Sequence, residues 1–139
     1  MKFILSLFLL FPMLVQAEFL EVKDAWVRAA PPNARVMVAY ATVKNISTYS
    51  IWIADVSSDH FKEVQIHETI EKDGLTSMIH LSFIKLDAGK SVNFKPGGKH
   101  LMLFNANKPS TVGDKINFKL RLGNGTEEAF TATVARNQP

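Results

Sequence analysis

The sequence predicts an all-β domain, either a β-sandwich or a β-barrel. Short segments rich in branched and aromatic residues recur every roughly 8–12 residues, which is the spacing of strands in sandwiches and barrels. No window of about a dozen residues shows the 3.6-residue period of an amphipathic helix. The clearest pair of strands surrounds Asn124-Gly125, because apolar and polar residues alternate from Ile116 to Leu122 and again after the turn.

Turn residues divide the chain into nine predicted strands. Neighbouring apolar segments are separated by Pro31-Pro32-Asn33, Asp73-Gly74, Asp87-Ala88-Gly89 and Pro96-Gly97-Gly98, and these residue types favour turns. Asn124-Gly125 predicts a two-residue hairpin in a type I′ turn. The strands are expected at Leu20–Ala29, Val36–Lys44, Ile51–Val56, Phe61–Thr69, Leu75–Leu86, Ser91–Phe94, His100–Asn105, Ile116–Leu122 and Glu128–Val134.

The first 17 residues have the pattern of a cleavable signal peptide. Lys2 supplies a positive charge, Phe3–Val15 is almost continuously apolar, and Val15-Gln16-Ala17 matches the small-residue cleavage pattern. The apolar run is shorter than the ~20 residues that span a bilayer, and an uncleaved N-terminal anchor is the alternative. We therefore expect residues 18–139 to form one exported domain that is not stably inserted in the membrane after cleavage.

Composition excludes several classes of function. The formal net charge is +3 and no stretch is dominated by Lys and Arg, so the clustered basic face of a nucleic-acid-binding protein is missing from the sequence. The chain contains no cysteine, which removes thiol redox chemistry, cysteine proteases, thiolate zinc sites, blue-copper centres and the lipid anchor of bacterial lipoproteins. No Ser/His/Asp set or carboxylate pair has a recognisable spacing, and we expect no catalytic residues and no enzymatic activity.

Histidine and methionine occur together on the predicted strands. Met78 and His80 are two residues apart and therefore share one face of a strand, and His100 and Met102 do the same on another strand. His67 lies near the end of a third strand. An imidazole and a thioether at this spacing stand ~7 Å apart, so groups from neighbouring strands can close on one metal ion. Taken singly, such residues are more often packed methionines or solvated histidines.

Two further residues of these types are expected to play no part in a metal site. Met37 lies within the apolar run Val36–Val43 and is predicted to fill space in the core. His60 follows Ser57-Ser58-Asp59 and is predicted to be a solvated turn residue. The candidate residues that remain are therefore those of the three strands described above.

The combined spacing of His67, Met78, His100 and Met102 forms the pattern H-x10-M-x21-H-x-M. This pattern resembles the signature of the periplasmic copper(I) chaperones of the PCu(A)C type, and the similarity extends over nearly the whole chain after the first 17 residues. Similar segments are also found at Ala25–Arg28, Pro31–Ala34, Val38–Tyr40, Lys44-Asn45, Val64–Glu68 and Lys95–Leu103.

The resemblance implies a Greek-key β-sandwich, cupredoxin-like or immunoglobulin-like, that binds one Cu(I) per chain through His67, Met78, His100 and Met102. The chemistry of the ligands favours the same metal, because thioethers select Cu(I) whereas zinc sites use thiolate, imidazole and carboxylate groups. His80 departs from the family, which more often has a non-coordinating residue there. Four roles are open for His80: an additional copper ligand, a ligand for Cu(II), a residue on the route of copper transfer, or a solvated histidine without a role in binding.

The function implied by the resemblance is that of a non-enzymatic Cu(I) carrier in the periplasm. Its copper would go to the binuclear copper centre of cytochrome c oxidase, alongside a thioredoxin-like assembly factor. We expect a single site, because the His/Met-rich C-terminal extension of some relatives has no counterpart here. We also expect the protein to be a monomer. The alternatives are a copper storage or tolerance protein, a copper redox protein that uses the same ligands with His80, and an interaction module whose His and Met residues are incidental.

Overall fold

The structure is a computed structural model that describes residues 18–139, so the predicted signal peptide lies outside the described residues. Residues 18–139 form ten strands and no helix, and therefore no helix long and apolar enough to cross a membrane. The strands are β1 Leu20–Arg28, β2 Val36–Asn45, β3 Ile51–Ser57, β4 Phe61–Lys72, β5 Leu75–Leu81, β6 Ile84–Leu86, β7 Ser91–Phe94, β8 Lys99–Ala106, β9 Lys115–Leu122 and β10 Glu127–Ala135.

Hydrogen bonds join all ten strands into one sheet, in the order β5-β4-β8-β7-β2-β1-β10-β9-β3-β6, and β8 also pairs with β2. The pairs β1–β10 and β7–β8 are parallel and the others are antiparallel. The sheet encloses the core between its two halves, and β5 and β6 form its two edges. The all-β prediction is confirmed, with one continuous sheet in place of two separate ones.

The core is built by the alternation of apolar and polar residues that the sequence shows. β9 is the most regular strand, because every second residue from Ile116 to Leu122 is buried and the residues between them are exposed. Met37 is buried in the same core, as predicted. Large side chains that are almost completely buried hold the two halves together, namely Val27, Val43, Ile53, Leu101, Leu103, Ile116, Phe118, Leu120, Leu122 and Val134.

The segment Leu75–Leu86 was predicted to be one strand, and this prediction is wrong. It is divided at Ser82-Phe83 into β5 and β6. The division is needed because β5 pairs with β4 at one edge of the sheet, whereas β6 pairs with β3 at the opposite edge. A single straight strand cannot satisfy both pairings.

The hairpin predicted at Asn124-Gly125 joins β9 to β10, but the prediction that it has a type I′ turn is wrong, and this turn type occurs at Asp73-Gly74 instead. At Asp73-Gly74 both residues have positive φ, 54° and 75°, which is the type I′ geometry, and the turn joins β4 directly to β5. At Asn124-Gly125 only the glycine has positive φ, at 85°, and its N–H donates to the Leu122 carbonyl. The second hairpin therefore closes through a longer turn with a left-handed glycine.

Candidate metal centre

Three neighbouring strands, β5, β4 and β8, bring three histidines into one row. His67 on the central strand β4 lies opposite His80 on β5 and opposite His100 on β8. Directly opposed residues point to the same face of a sheet. The centroid of the His67 ring is 5.6 Å from that of His80 and 5.9 Å from that of His100. His67 is therefore the central imidazole, with one neighbour on each side.

Met78 and Met102 lie on the same face of the sheet as the three histidines, on opposite sides of the histidine row. Met102 is opposite Gln65 and Met78 is opposite Thr69, two residues before and two residues after His67. On a flat ladder their Cα atoms would be roughly 17 Å apart, from the spacing between strands and the rise along them. One ion can bind both sulfurs only when the β4–β5 hairpin bends towards β8, because two methionine side chains cannot span that separation.

The register of β4 against β8 is fixed on the opposite face of the sheet. Ile66 lies opposite Leu101 there, and both side chains are buried in the core. Beside them, the Lys99 ammonium contacts the Glu68 carboxylate at 2.7 Å. A shift of one residue would move these apolar groups to the other face, so the packing holds His67 opposite His100.

A tight turn immediately before β8 orients His100. The Gly98 N–H donates to the Lys95 carbonyl at 3.1 Å, with Pro96 and Gly97 at the two central positions. Gly97 has φ of 77°, as the third residue of a type II turn requires. The turn aims the Gly98 carbonyl back at His100, whose Nδ1 lies 3.0 Å away and donates to it. The other ring nitrogen, Nε2, is then the one with a lone pair for a metal.

His67 is oriented by a chain of side chains on its own strand. Its Nε2 donates to Gln65 Oε1 at 2.8 Å, and the Gln65 amide donates to Glu63 Oε1 at 2.6 Å. The remaining ring nitrogen, Nδ1, is buried and has no hydrogen-bond partner among residues 18–139. Metal-binding histidines commonly donate the ring N–H that does not face the metal. His67 and His100 both show this arrangement.

The surroundings of His67 favour its neutral imidazole form. Burial is the largest cause that lowers the pKa of His67 below its usual value, and the neighbouring rings of His100 and His80 lower it further. A metal binds only the neutral form of an imidazole. The lowered pKa of His67 therefore favours the form that can bind a metal.

The donor set limits the kind of metal that fits. Within residues 18–139, no group of three or more His, Cys, Asp or Glu side chains is placed to hold a metal ion. A site on this face therefore needs the methionine sulfurs in addition to imidazole. Thioether sulfur selects Cu(I) among the biological metals, so the residues present fit that ion.

The histidines and methionines on this face differ greatly in their solvent exposure. His100 is buried, with 5% of its surface exposed, whereas Met78 is 59% exposed and His80 is also exposed. His67 and Met102 are intermediate. The site therefore runs from the interior of the sheet at β8 to its open edge at β5.

Sequence reasoning missed Gln65 and misjudged His60. Gln65 shares the face of His67 because it is two residues earlier on the strand, and this spacing was the available signal. His60 lies in a turn, as predicted, but it is partly buried, with its ring 5.0 Å from that of Phe61 and its Nε2 atom buried. The prediction that it is solvated is wrong.

Comparison with known proteins identifies the family. The family model described as "LpqE-like: putative lipoprotein LpqE-like" matches residues 20–134, and the chain belongs to this family. A putative lipoprotein of Leifsonia xyli subsp. xyli is 32% identical over 120 residues, which cover 86% of this chain and 71% of that protein. An uncharacterized protein of Rickettsia prowazekii is 29% identical over 101 residues, and the match covers 72% of this chain and 56% of that protein.

Solved structures with the same fold are PCuAC domains, which confirms the resemblance. The copper-bound PCuAC domain from PmoF2 matches with a TM-score of 0.72 and 22% identity, over 88% of this chain and 97% of that one. The solution structure of CuI-DR1885 from Deinococcus radiodurans matches with a TM-score of 0.67 and 26% identity, over 84% of this chain and 77% of that one. The fold is therefore that of a PCuAC-type copper-binding domain.

Proposed function

We propose that this protein is an exported Cu(I) carrier that binds one copper ion through His67, Met78, His100 and Met102 and passes it to another protein. It performs no catalysis in this proposal. The recipient is the binuclear copper centre of cytochrome c oxidase or a thioredoxin-like assembly factor of that enzyme, as the PCu(A)C resemblance implies. The compartment is the periplasm.

The orientation of the His67 and His100 rings is the main support for the proposal. His67 and His100 lie side by side, and each has one ring nitrogen fixed by a hydrogen bond so that the other nitrogen is left for a metal. The free nitrogen of His67 is buried without a partner, which is costly for a group that has no ligand to bind. A metal ion that takes this lone pair removes the cost.

The ligands suit transport better than permanent storage or catalysis. All four are neutral, so the bound ion keeps its single positive charge and the site has no thiolate that oxidation could damage. Met78 is exposed and lies on an edge strand, which gives an acceptor access to at least one ligand. A copper ion that is held in part by an exposed thioether group can exchange into a stronger site.

The comparisons support copper binding and export. DR1885, at 26% identity, is a Cu(I)-bound protein of this fold. The family is described as lipoproteins, and this chain, which has no cysteine to carry a lipid, instead begins with the signal-peptide pattern of residues 1–17. Together with the ligand spacing, these similarities favour an exported copper protein.

The proposal is tested by anaerobic titration of the purified protein with Cu(I) against a chromophoric competing chelator. We expect one tightly bound Cu(I) per chain and weak competition by Zn(II), because two thioethers favour the softer ion. Met102→Ala is the matched variant, with Met37→Ala as the methionine control. Two or more tightly bound ions, or equal affinity for zinc, would contradict the proposed site.

A copper redox protein is the second candidate, and His80 is the observation that favours it. Its ring is 5.6 Å from that of His67, and an additional imidazole would stabilise Cu(II) as well as Cu(I). Steady oxidase or reductase turnover by the copper-loaded protein would support this candidate. A carrier shows none, and it releases copper to a competing chelator without a change of oxidation state.

A further inference from the structure

His80 and Met78 form a second pair of metal-binding groups that mirrors the pair on β8. The pair His100/Met102 flanks His67 on one side, and the pair His80/Met78 flanks it on the other. The distances from the His67 ring to the two neighbouring histidine rings are nearly equal, 5.9 Å and 5.6 Å. His67 therefore has two alternative imidazole partners on the same face of the sheet.

The three histidines do not form a single site with one another. No three His, Cys, Asp or Glu side chains among the described residues are placed to hold a metal together. His80 and His100 are two strands apart, so their Cα atoms are separated by roughly 10 Å. The geometry supports two overlapping positions that share His67 and Met78 and differ in the second histidine, rather than one three-histidine centre.

Only one of the two positions can be filled at a time. His67 Nε2 donates to Gln65, so Nδ1 is the single ring nitrogen that can bind a metal. One nitrogen lone pair binds one ion. Copper at the β5 position must therefore be the same ion that leaves the β8 position, and the stoichiometry remains one per chain.

We infer that His80, with Met78 and the shared His67, forms an outer copper position through which Cu(I) leaves the protein. This inference rests on the proposed function. When Cu(I) moves to this outer position, its bonds to His67 and Met78 are kept, its bonds to His100 and Met102 break, and a bond to His80 forms. Copper remains Cu(I), so the step requires no electron donor or acceptor.

The direction of transfer follows from exposure. His100 is buried, whereas His80 and Met78 are exposed on β5. Within residues 18–139, β5 pairs only with β4, so no described strand covers the other edge of β5 and a protein can approach it there. An acceptor can reach copper in the outer position without opening the packed interior of the sheet.

The test compares His80→Ala with Thr76→Ala, a control on the same strand and the same face that removes no metal-binding group. Stopped-flow spectroscopy under anaerobic conditions measures the transfer of Cu(I) from the loaded protein to bathocuproine disulfonate. We expect His80→Ala to slow the transfer at least about fivefold, which corresponds to a barrier increase of about 1 kcal/mol. Its equilibrium affinity should change less than about threefold, because His80 is not a ligand of the resting site.

Imidazole ¹⁵N NMR of the wild-type protein gives an independent measurement, because Cu(I) is diamagnetic. On addition of Cu(I), the signals of His67 and His100 should shift, those of His80 should broaden or shift through exchange, and those of His60 should not change. Unchanged His80 signals with an unchanged transfer rate would overturn the outer position and leave the carrier function intact. A loss of affinity of tenfold or more in His80→Ala would also overturn it, by making His80 a resident ligand. Failure of the wild-type protein to bind Cu(I) would overturn both proposals.

Discussion

The two strands that flank β4 carry the same two residue types at the same spacing, yet they create different environments. On β8, His100 is buried and hydrogen bonded to the turn that precedes it. On β5, Met78 and His80 are exposed on an edge strand that has one neighbour among the described strands. The difference arises from the positions of the two strands in the sheet and from the turn that precedes β8. An internal strand holds its ligands in fixed positions, whereas an edge strand leaves them accessible.

The largest effect should come from the residue that both strands share. We expect His67→Ala to weaken Cu(I) binding by more than about 100-fold, which is beyond the usual cost of removing a residue that only supports a ligand. Anaerobic competition titration measures this change. His60→Ala is the control, because His60 lies in a separate turn beside Phe61. Equal losses of Cu(I) affinity in His67→Ala and His60→Ala would show that His67 has no special role in copper binding.

The β8 pair should have the next largest effect. We expect His100→Ala or Met102→Ala to weaken Cu(I) binding about tenfold or more, equivalent to at least about 1.4 kcal/mol, while the domain stays folded. Circular dichroism and the same titration test both statements. Normal copper affinity in a folded His100→Ala variant would remove β8 from the site.

Met37 provides the matched comparison for the methionines. Met37 is 7% exposed and packs in the core. Met37→Ala should lower the free energy of unfolding by roughly 2–5 kcal/mol, as large-to-small core substitutions do, and leave copper affinity close to normal. Chemical denaturation of the copper-free protein measures the first quantity. Loss of copper binding in a folded Met37→Ala variant would show that the methionines have been assigned wrongly.

A smaller effect is expected from the group that orients His67. Gln65→Leu removes the acceptor of the His67 Nε2–H bond and should weaken Cu(I) binding about tenfold or less, near the lower limit for such supporting residues. The His67 ring would then be free to rotate or to change tautomer. Glu63→Gln, one step further along the chain of hydrogen bonds, should have a smaller effect. An effect of Glu63→Gln larger than that of Gln65→Leu would contradict this order.

Near neutral pH, the smallest expected effect is the change of Cu(I) affinity with pH. Protons compete with copper for imidazole, so the apparent affinity should fall as the pH drops below about 6.5. The lowered pKa of His67 delays its part of this loss to a lower pH than for an ordinary histidine. The limiting slope should approach two protons per copper, and it should be the same in His80→Ala. A slope near zero would exclude imidazole ligands.

Local patterns were sufficient to predict most of the fold. Alternation in β9 and the Asp73-Gly74 turn each depend on residues that are close in sequence, and both occur as expected. The division of Leu75–Leu86 could not be predicted in the same way. It depends on β5 and β6 pairing with strands at opposite edges of the sheet, which is a property of the whole topology.

The same limit applies to the site. The sequence predicts that His100 and Met102 share one face and that Met78 and His80 share another strand face, because this follows from the period of two residues. It does not predict that His67 lies between the two pairs or that β5 is an edge strand. The hydrogen bonds from His67 to Gln65 and from His100 to Gly98 were also missed, since both require the three-dimensional arrangement.

X-ray absorption spectroscopy at the copper K edge tests the central claim most directly. On the Cu(I)-loaded wild-type protein, the account predicts one copper ion per chain with both nitrogen and sulfur ligands, two of each when the β4–β5 hairpin closes over the ion. The sulfur contribution should decrease in Met102→Ala and remain unchanged in Met37→Ala. A first shell that contains only nitrogen or oxygen would contradict the account, because the methionines would then have no part in binding.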